Sequence, residues 1–235
     1  MLEIVDHLLF LNLAVGEPVS AVCLRRRLER RLAQGVKEAR LAMYARTIVH
    51  YWAFVVALLT YWIVAGRSAE SLGLAASGGI PFAVTLTASV LLALWLLGQI
   101  RAARSMTTDP AERLLRQSRA VGTVFLPHTT GERSVWFWLS VTAGFCEELW
   151  YRGFLIAYLA QWIGWWQASI ASSVLFGIGH AYQGTASVLK TTGVGLVFAA
   201  LYGYSGSLWP SIVLHTAIDM QGGAIGHEAL SRTEP

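Results

Sequence analysis

Charge is scarce in this sequence. Only 14% of its 235 residues are Asp, Glu, Lys or Arg, against about 25% in ordinary soluble domains. Hydrophobic residues make up 55%, and the mean hydropathy is positive, at +0.51. A soluble globular domain is thereby excluded, and one integral membrane domain is expected. Lysine is nearly missing: Lys37 and Lys190 are its two occurrences, so arginine carries the net charge of +4. That basic excess is local, which reads as membrane topology and contact with the lipid bilayer, not nucleic-acid binding. Cysteine is limited to Cys23 and Cys146, which lie far apart in unlike surroundings, so no structural disulfide is expected. No convincing Ala-x-Ala-like cleavage site follows the first apolar stretch. Internal repeats are absent, which weighs against a repeat-built transporter. Neither a Gly-x-Ser-x-Gly elbow nor a His-Glu-x-x-His motif is present, so the common serine and zinc hydrolase signatures do not apply.

What remains is a series of apolar runs. Met1 to Val15 is too short for an ordinary span of about 20 residues. Joined to Val19–Leu24 it reaches that length, with a break expected at Gly16-Glu17-Pro18, and spanning or lying in the interface are equally open. Leu24, Leu28, Leu32 and Val36 recur at helical spacing among arginines, which predicts a basic amphipathic helix over Arg25–Arg40 on the cytoplasmic face. Tyr44–Ala65 and Pro81–Ile100 read as spans. Arg101–Arg133 is polar, with a helix start at Asp109-Pro110. Two spans between two arginine-rich segments put both segments on the cytoplasmic side and Arg67 outside. Val135–Trp162, Gln167–Tyr182, Ser187–Tyr204 and Leu208–Ile225 follow as membrane segments. The expected fold is all-α, a polytopic transmembrane bundle of about six to eight membrane helices plus the basic amphipathic helix. It divides into an N-terminal segment (1–43), a transmembrane domain (44–226) and a polar, disordered tail (227–235).

Inside the Val135–Trp162 run stand Glu147, Glu148 and Arg152. A charge at membrane depth costs roughly 2.5–3.5 kcal/mol on insertion scales, so such a cluster points to function. Glu148 and Arg152 are four residues apart on one helix face and can pair. Glu147, about a hundred degrees round the helix, is left without that partner and is expected to face a polar cavity. Three further polar groups sit in apolar runs: His180, after two glycines, and His215 with Asp219, four residues apart. Singly, each histidine is more often a packed core residue. Together they suit one hydrated site. Two histidines and a carboxylate can hold a catalytic divalent metal such as Zn, with Glu147, His180 and His215 as the ligand set. Without metal, Glu147 can serve as general base, with His215, oriented by Asp219, donating to an oxyanion. Cys146 is a weak nucleophile candidate, because its neighbours are anionic.

Glu-Glu-x-x-x-Arg at Glu147, Glu148 and Arg152, Phe-x-x-x-His at Phe176 and His180, and His-x-x-x-Asp at His215 and Asp219 together resemble the three motifs of the CPBP (Abi) family. These are the CAAX-protease and bacteriocin-processing intramembrane proteases. The resemblance runs from about Ser71 to Gly226 and includes Leu72-Gly73-Leu74. It implies that Glu147 and His180 activate water, that His215 and Asp219 position it or stabilise the oxyanion, and that Glu148 and Arg152 support the site. Many members have Asn where this chain has Asp219, and the family has been described both as metalloproteases and as glutamate-dependent proteases. The implied substrate is a membrane-embedded or lipidated protein cut near its C-terminus. The implied setting is a bacterial inner membrane. The competing reading is a non-catalytic scaffold, such as a bacteriocin-immunity protein, or a transporter.

Overall fold

The computed structural model describes residues 3–119 and 123–233. Among the described residues the chain forms eight helices joined by turns and short 3-10 segments. They are α1 (Ile4–Ala33), α2 (Ala39–Val64), α3 (Gly79–Ala103), α4 (Thr108–Arg119), α5 (130–159), α6 (Trp165–Gly179), α7 (Thr185–Ser205) and α8 (Trp209–Thr233). Four of them, α1, α2, α3 and α7, are long and apolar enough to cross a membrane. Their outward faces carry Val56, Ile63, Leu91, Leu94, Trp95 and Leu189, all exposed. A surface of this kind is matched to lipid, and the chain is that of an integral membrane protein.

The break expected at Gly16-Glu17-Pro18 does not occur. Helix α1 runs through it by widening into a π-helical turn at Asn12–Gly16. Proline lacks an N–H and its ring crowds the carbonyl four residues back; the widened turn absorbs both defects. The basic stretch is correspondingly different from the expected single amphipathic helix. Arg25–Arg31 form the last turns of α1. The chain then turns at Gly35 (φ 74°), and α2 begins at Ala39. The tail also departs from expectation, since α8 continues to Thr233. Ala229 and Leu230 pack on Ala111 and Leu115 of α4, and the His227 Nδ1 bonds the Pro127 carbonyl at 3.0 Å. An apolar stripe of only two residues was too faint to read as helix. Residues 234–235 of that tail lie outside the described residues.

The two arginine-rich segments meet at one end of the bundle. Arg40 Nε donates to the Val124 carbonyl (3.0 Å) and Tyr44 Oη to that of Phe125 (2.6 Å). At the other end, Asp6 and Arg67 form a two-pronged ion pair, both contacts 2.7 Å. It ties the start of α1 to the turn after α2, and the Asp6 carboxylate holds the Arg67 guanidinium above its ordinary pKa.

The core surrounds the middle of α5. Leu149, Trp150, Phe154 and Leu155 are fully buried against Leu13, Val55, Leu58 and Phe176. Helix α5 is π-helical over Leu149–Leu155. Two backbone approaches fix its place. At Gly144 an added Cβ would lie 2.9 Å from the Thr216 backbone nitrogen, so α5 and α8 touch main chain to main chain. At Gly73, in the left-handed region at φ 74°, the carbonyl accepts from Leu208 N at 2.9 Å. Leu72 lies just before it, wholly buried against α5.

Candidate active site

Glu147 and Glu148 are consecutive on α5, which sends their carboxylates to different partners. Glu148 is 0% exposed, as is Arg152. Arg152 Nη1 donates to Glu148 Oε1 at 2.9 Å. The guanidinium lies over the Phe176 ring (4.2 Å) and near that of Phe198 (5.3 Å). Such a cation, removed from water, needs both the carboxylate and the ring faces.

The same Glu148 oxygen holds a second group. His215 Nδ1 is 2.9 Å from Oε1. A carboxylate bonded to arginine only accepts, so Nδ1 carries the proton and Nε2 faces the opposite way. There it stands 3.7 Å from Glu147 Oε2 and 3.7 Å from Asp219 Oδ2. The imidazole is stacked on Phe198 at 5.2 Å. Glu147 is itself pinned through its other oxygen, where Tyr51 Oη donates to Oε1 at 2.7 Å. Its Oε2 is buried without a hydrogen-bond partner.

Asp219 is the most open member, its side chain 35% exposed. Trp136 Nε1 donates to its backbone carbonyl at 2.9 Å, fixing α8 against α5. His180, at the C-cap of α6, turns Nδ1 to the Phe176 carbonyl at 2.9 Å. A carbonyl only accepts, so Nδ1–H donates and Nε2 is not engaged in that bond. His180 packs against Phe176 (4.8 Å) and stacks on Tyr182 (6.0 Å). It lies near enough to interact electrostatically with Asp219, though no direct bond joins it to Glu147 or His215.

The structure thus draws Glu147, Glu148, His215 and Asp219 together, with Arg152 behind them and His180 at the border. Three members were not singled out from sequence: Tyr51, Phe198 and Trp136. A tyrosine inside an apolar span and an aromatic in a glycine-rich helix carry no signal of their own. Glu148 also holds His215, which its spacing to Arg152 could not reveal. Cys146 is wholly buried in the core. Glu147, His180 and His215 do not form a ready coordination set: among the described residues, no three His, Cys, Asp or Glu side chains are arranged to hold a metal ion.

No curated protein and no solved structure matches the chain. A family model does, over residues 130–221, and its description is type II CAAX prenyl endopeptidase, Rce1-like. That stretch runs from the start of α5 into α8 and holds all three motifs, while Tyr51 and the Leu72-Gly73-Leu74 turn stand outside it. The segment that gathers these motif residues, 130–221, is thus similar to the Rce1-like type II CAAX prenyl endopeptidase (CPBP) family.

Proposed function

We propose that the protein is an intramembrane endopeptidase that cuts a peptide bond near the C-terminus of a membrane-embedded or lipidated protein. The bilayer is that of a bacterial inner membrane, with the basic segments cytoplasmic. The observation that carries this reading is the placement of Glu147. One oxygen is held by Tyr51, and the other has no hydrogen-bond partner and faces His215 Nε2 across 3.7 Å. A polar gap of that width suits a bridging water or a reacting group.

Among the described residues no three donors surround one metal position, and the side chains can carry the reaction by themselves. Glu147 Oε2 takes a proton from water, and His180 Nε2 accepts that water's second hydrogen bond. The water oxygen bonds to the substrate carbonyl carbon as the π pair moves onto oxygen. His215 Nε2, protonated and flanked by Asp219, donates to that oxyanion. Collapse breaks the C–N bond, and Glu147 returns its proton to the leaving amine. One water is consumed; a carboxylic acid and an amine are formed, and the acid's proton then passes to the amine, leaving a carboxylate and an ammonium. Glu148 and Arg152 hold His215 in place and do not touch substrate.

Proteomics of a deletion strain carrying either the wild-type protein or Glu147→Ala tests this. The expected result is a protein with an unprocessed C-terminus in the Glu147→Ala strain. Identical C-termini in both strains would leave a scaffold or transporter as the better reading.

A further inference from the structure

We infer that Tyr51 is a positioning residue, whose phenol decides which oxygen of Glu147 faces the attacking water. The inference rests on the hydrolase reading above and deepens it. Tyr51 belongs to α2, outside the matched segment, and its Oη donates to Glu147 Oε1 at 2.7 Å. Its ring stands edge-on to Trp150, centroids 4.6 Å apart at 67°. Trp150 is 1% exposed and is itself met edge-on by Phe54 at 4.9 Å. The phenol therefore cannot swing aside without opening the core beside α5.

A glutamate's last torsion is broad, so its two oxygens exchange roles unless something distinguishes them. Here one oxygen is bonded and the other is left towards His215. The two adjacent acids show two ways of fixing a carboxylate. Glu148 is bonded by a guanidinium, which neutralises it and makes it structural. Glu147 is bonded by a neutral phenol, which orients it and leaves it free to accept a proton. An arginine at the Tyr51 position would orient Glu147 equally well and quench it.

The test is Tyr51→Phe in the full-length protein in liposomes, assayed on a fluorogenic farnesylated peptide ending in a CAAX sequence, beside wild type and Glu147→Gln. Losing one aligned polar contact in a water-excluded site predicts a fall in kcat of about 10²-fold. KM stays within about twofold, because ground-state binding does not involve the phenol. The melting temperature stays close to wild type. An unchanged kcat overturns the inference. So does a variant that fails to fold, or loses activity together with a large melting shift, since Tyr51 then only packs. Wild-type turnover that survives Glu147→Gln sinks the hydrolase reading itself, and the paired variants tell that failure from a failure of the Tyr51 link. No turnover by the wild type counts against both.

Discussion

Glu148 Oε1 lies 2.9 Å from His215 Nδ1, on the same oxygen that Arg152 engages at 2.9 Å. One carboxylate therefore compensates a buried cation and fixes the orientation of an imidazole. The motif positions on α5 and α8 form one mechanical unit: disturbing the ion pair disturbs the ring that faces Glu147.

Arg152→Ala strips the cation from a fully buried carboxylate. Breaking one side of such a pair costs about 3–5 kcal/mol. The expected outcome is a sharply lowered yield and a lower melting temperature in detergent, with His215 released from its fixed orientation. A melting curve and yield equal to wild type would mean that the pair does not stabilise the fold.

Glu147→Gln keeps the volume and the Tyr51 contact but cannot take a proton. Removing a general base costs about 10²–10⁴ in rate. Membrane insertion and melting should stay close to wild type, because His215 keeps Glu148 as its bonded carboxylate at 2.9 Å. Retained turnover would assign water activation elsewhere.

The membrane class, five of the eight helices (α2, α3, α5, α6 and α7) to within about five residues of their ends, and the Glu148–Arg152 pair were legible in the sequence, because lipid leaves long apolar runs and makes every intramembrane charge conspicuous. Helix continuity was not. Pro18 reads as a break, and only the π-helical turn at Asn12–Gly16 removes the conflict. The C-terminal end of α8 was hidden because its apolar side rests on just two residues, Ala229 and Leu230. At the site, spacing predicts contacts within one helix, such as Glu148 with Arg152. It is silent on contacts between helices: Glu148 with His215, and Tyr51 with Glu147, join residues 67 and 96 positions apart.

Asp219→Asn separates the two things Asp219 does beside His215. The side chain is partly open and 3.7 Å from Nε2. Asparagine keeps the size and a polar oxygen but drops the charge that favours a protonated imidazole. Activity should persist within about tenfold, whereas Asp219→Ala should fall by about 10²–10³, the range for loss of one oxyanion-site group. Equal activity of Asp219→Ala and wild type would remove Asp219 from the site.

Metal dependence is a separate test. With Glu147, His180 and His215 not gathered as a ligand set, chelator treatment of the purified protein should leave turnover within about twofold, since no step above draws on a Lewis acid. Activity that vanishes with chelator and returns with Zn would instead place a metal on these residues and reassign the activation of water to it.

Gly144 sets the spacing on which all of this geometry depends. A Cβ there would meet Thr216 Oγ1 at 2.2 Å, the Thr216 backbone nitrogen at 2.9 Å and its Cα at 3.1 Å. Gly144→Ala must therefore push α5 from α8 by a few tenths of an ångström, one turn from Glu147 and Glu148. The Glu148–His215 bond and the Glu147–His215 approach both cross that seam. Misplacement by about 1 Å costs on the order of 10² in rate, so a several-fold to tenfold loss of turnover is expected from this smaller shift, along with a lower melting temperature. Thr216→Ala in the same background removes only the hydroxyl clash. Two of the three close contacts are to main-chain atoms, so rescue should be partial. Full restoration by Thr216→Ala would show that the seam is set by one side chain and not by the approach of the two backbones.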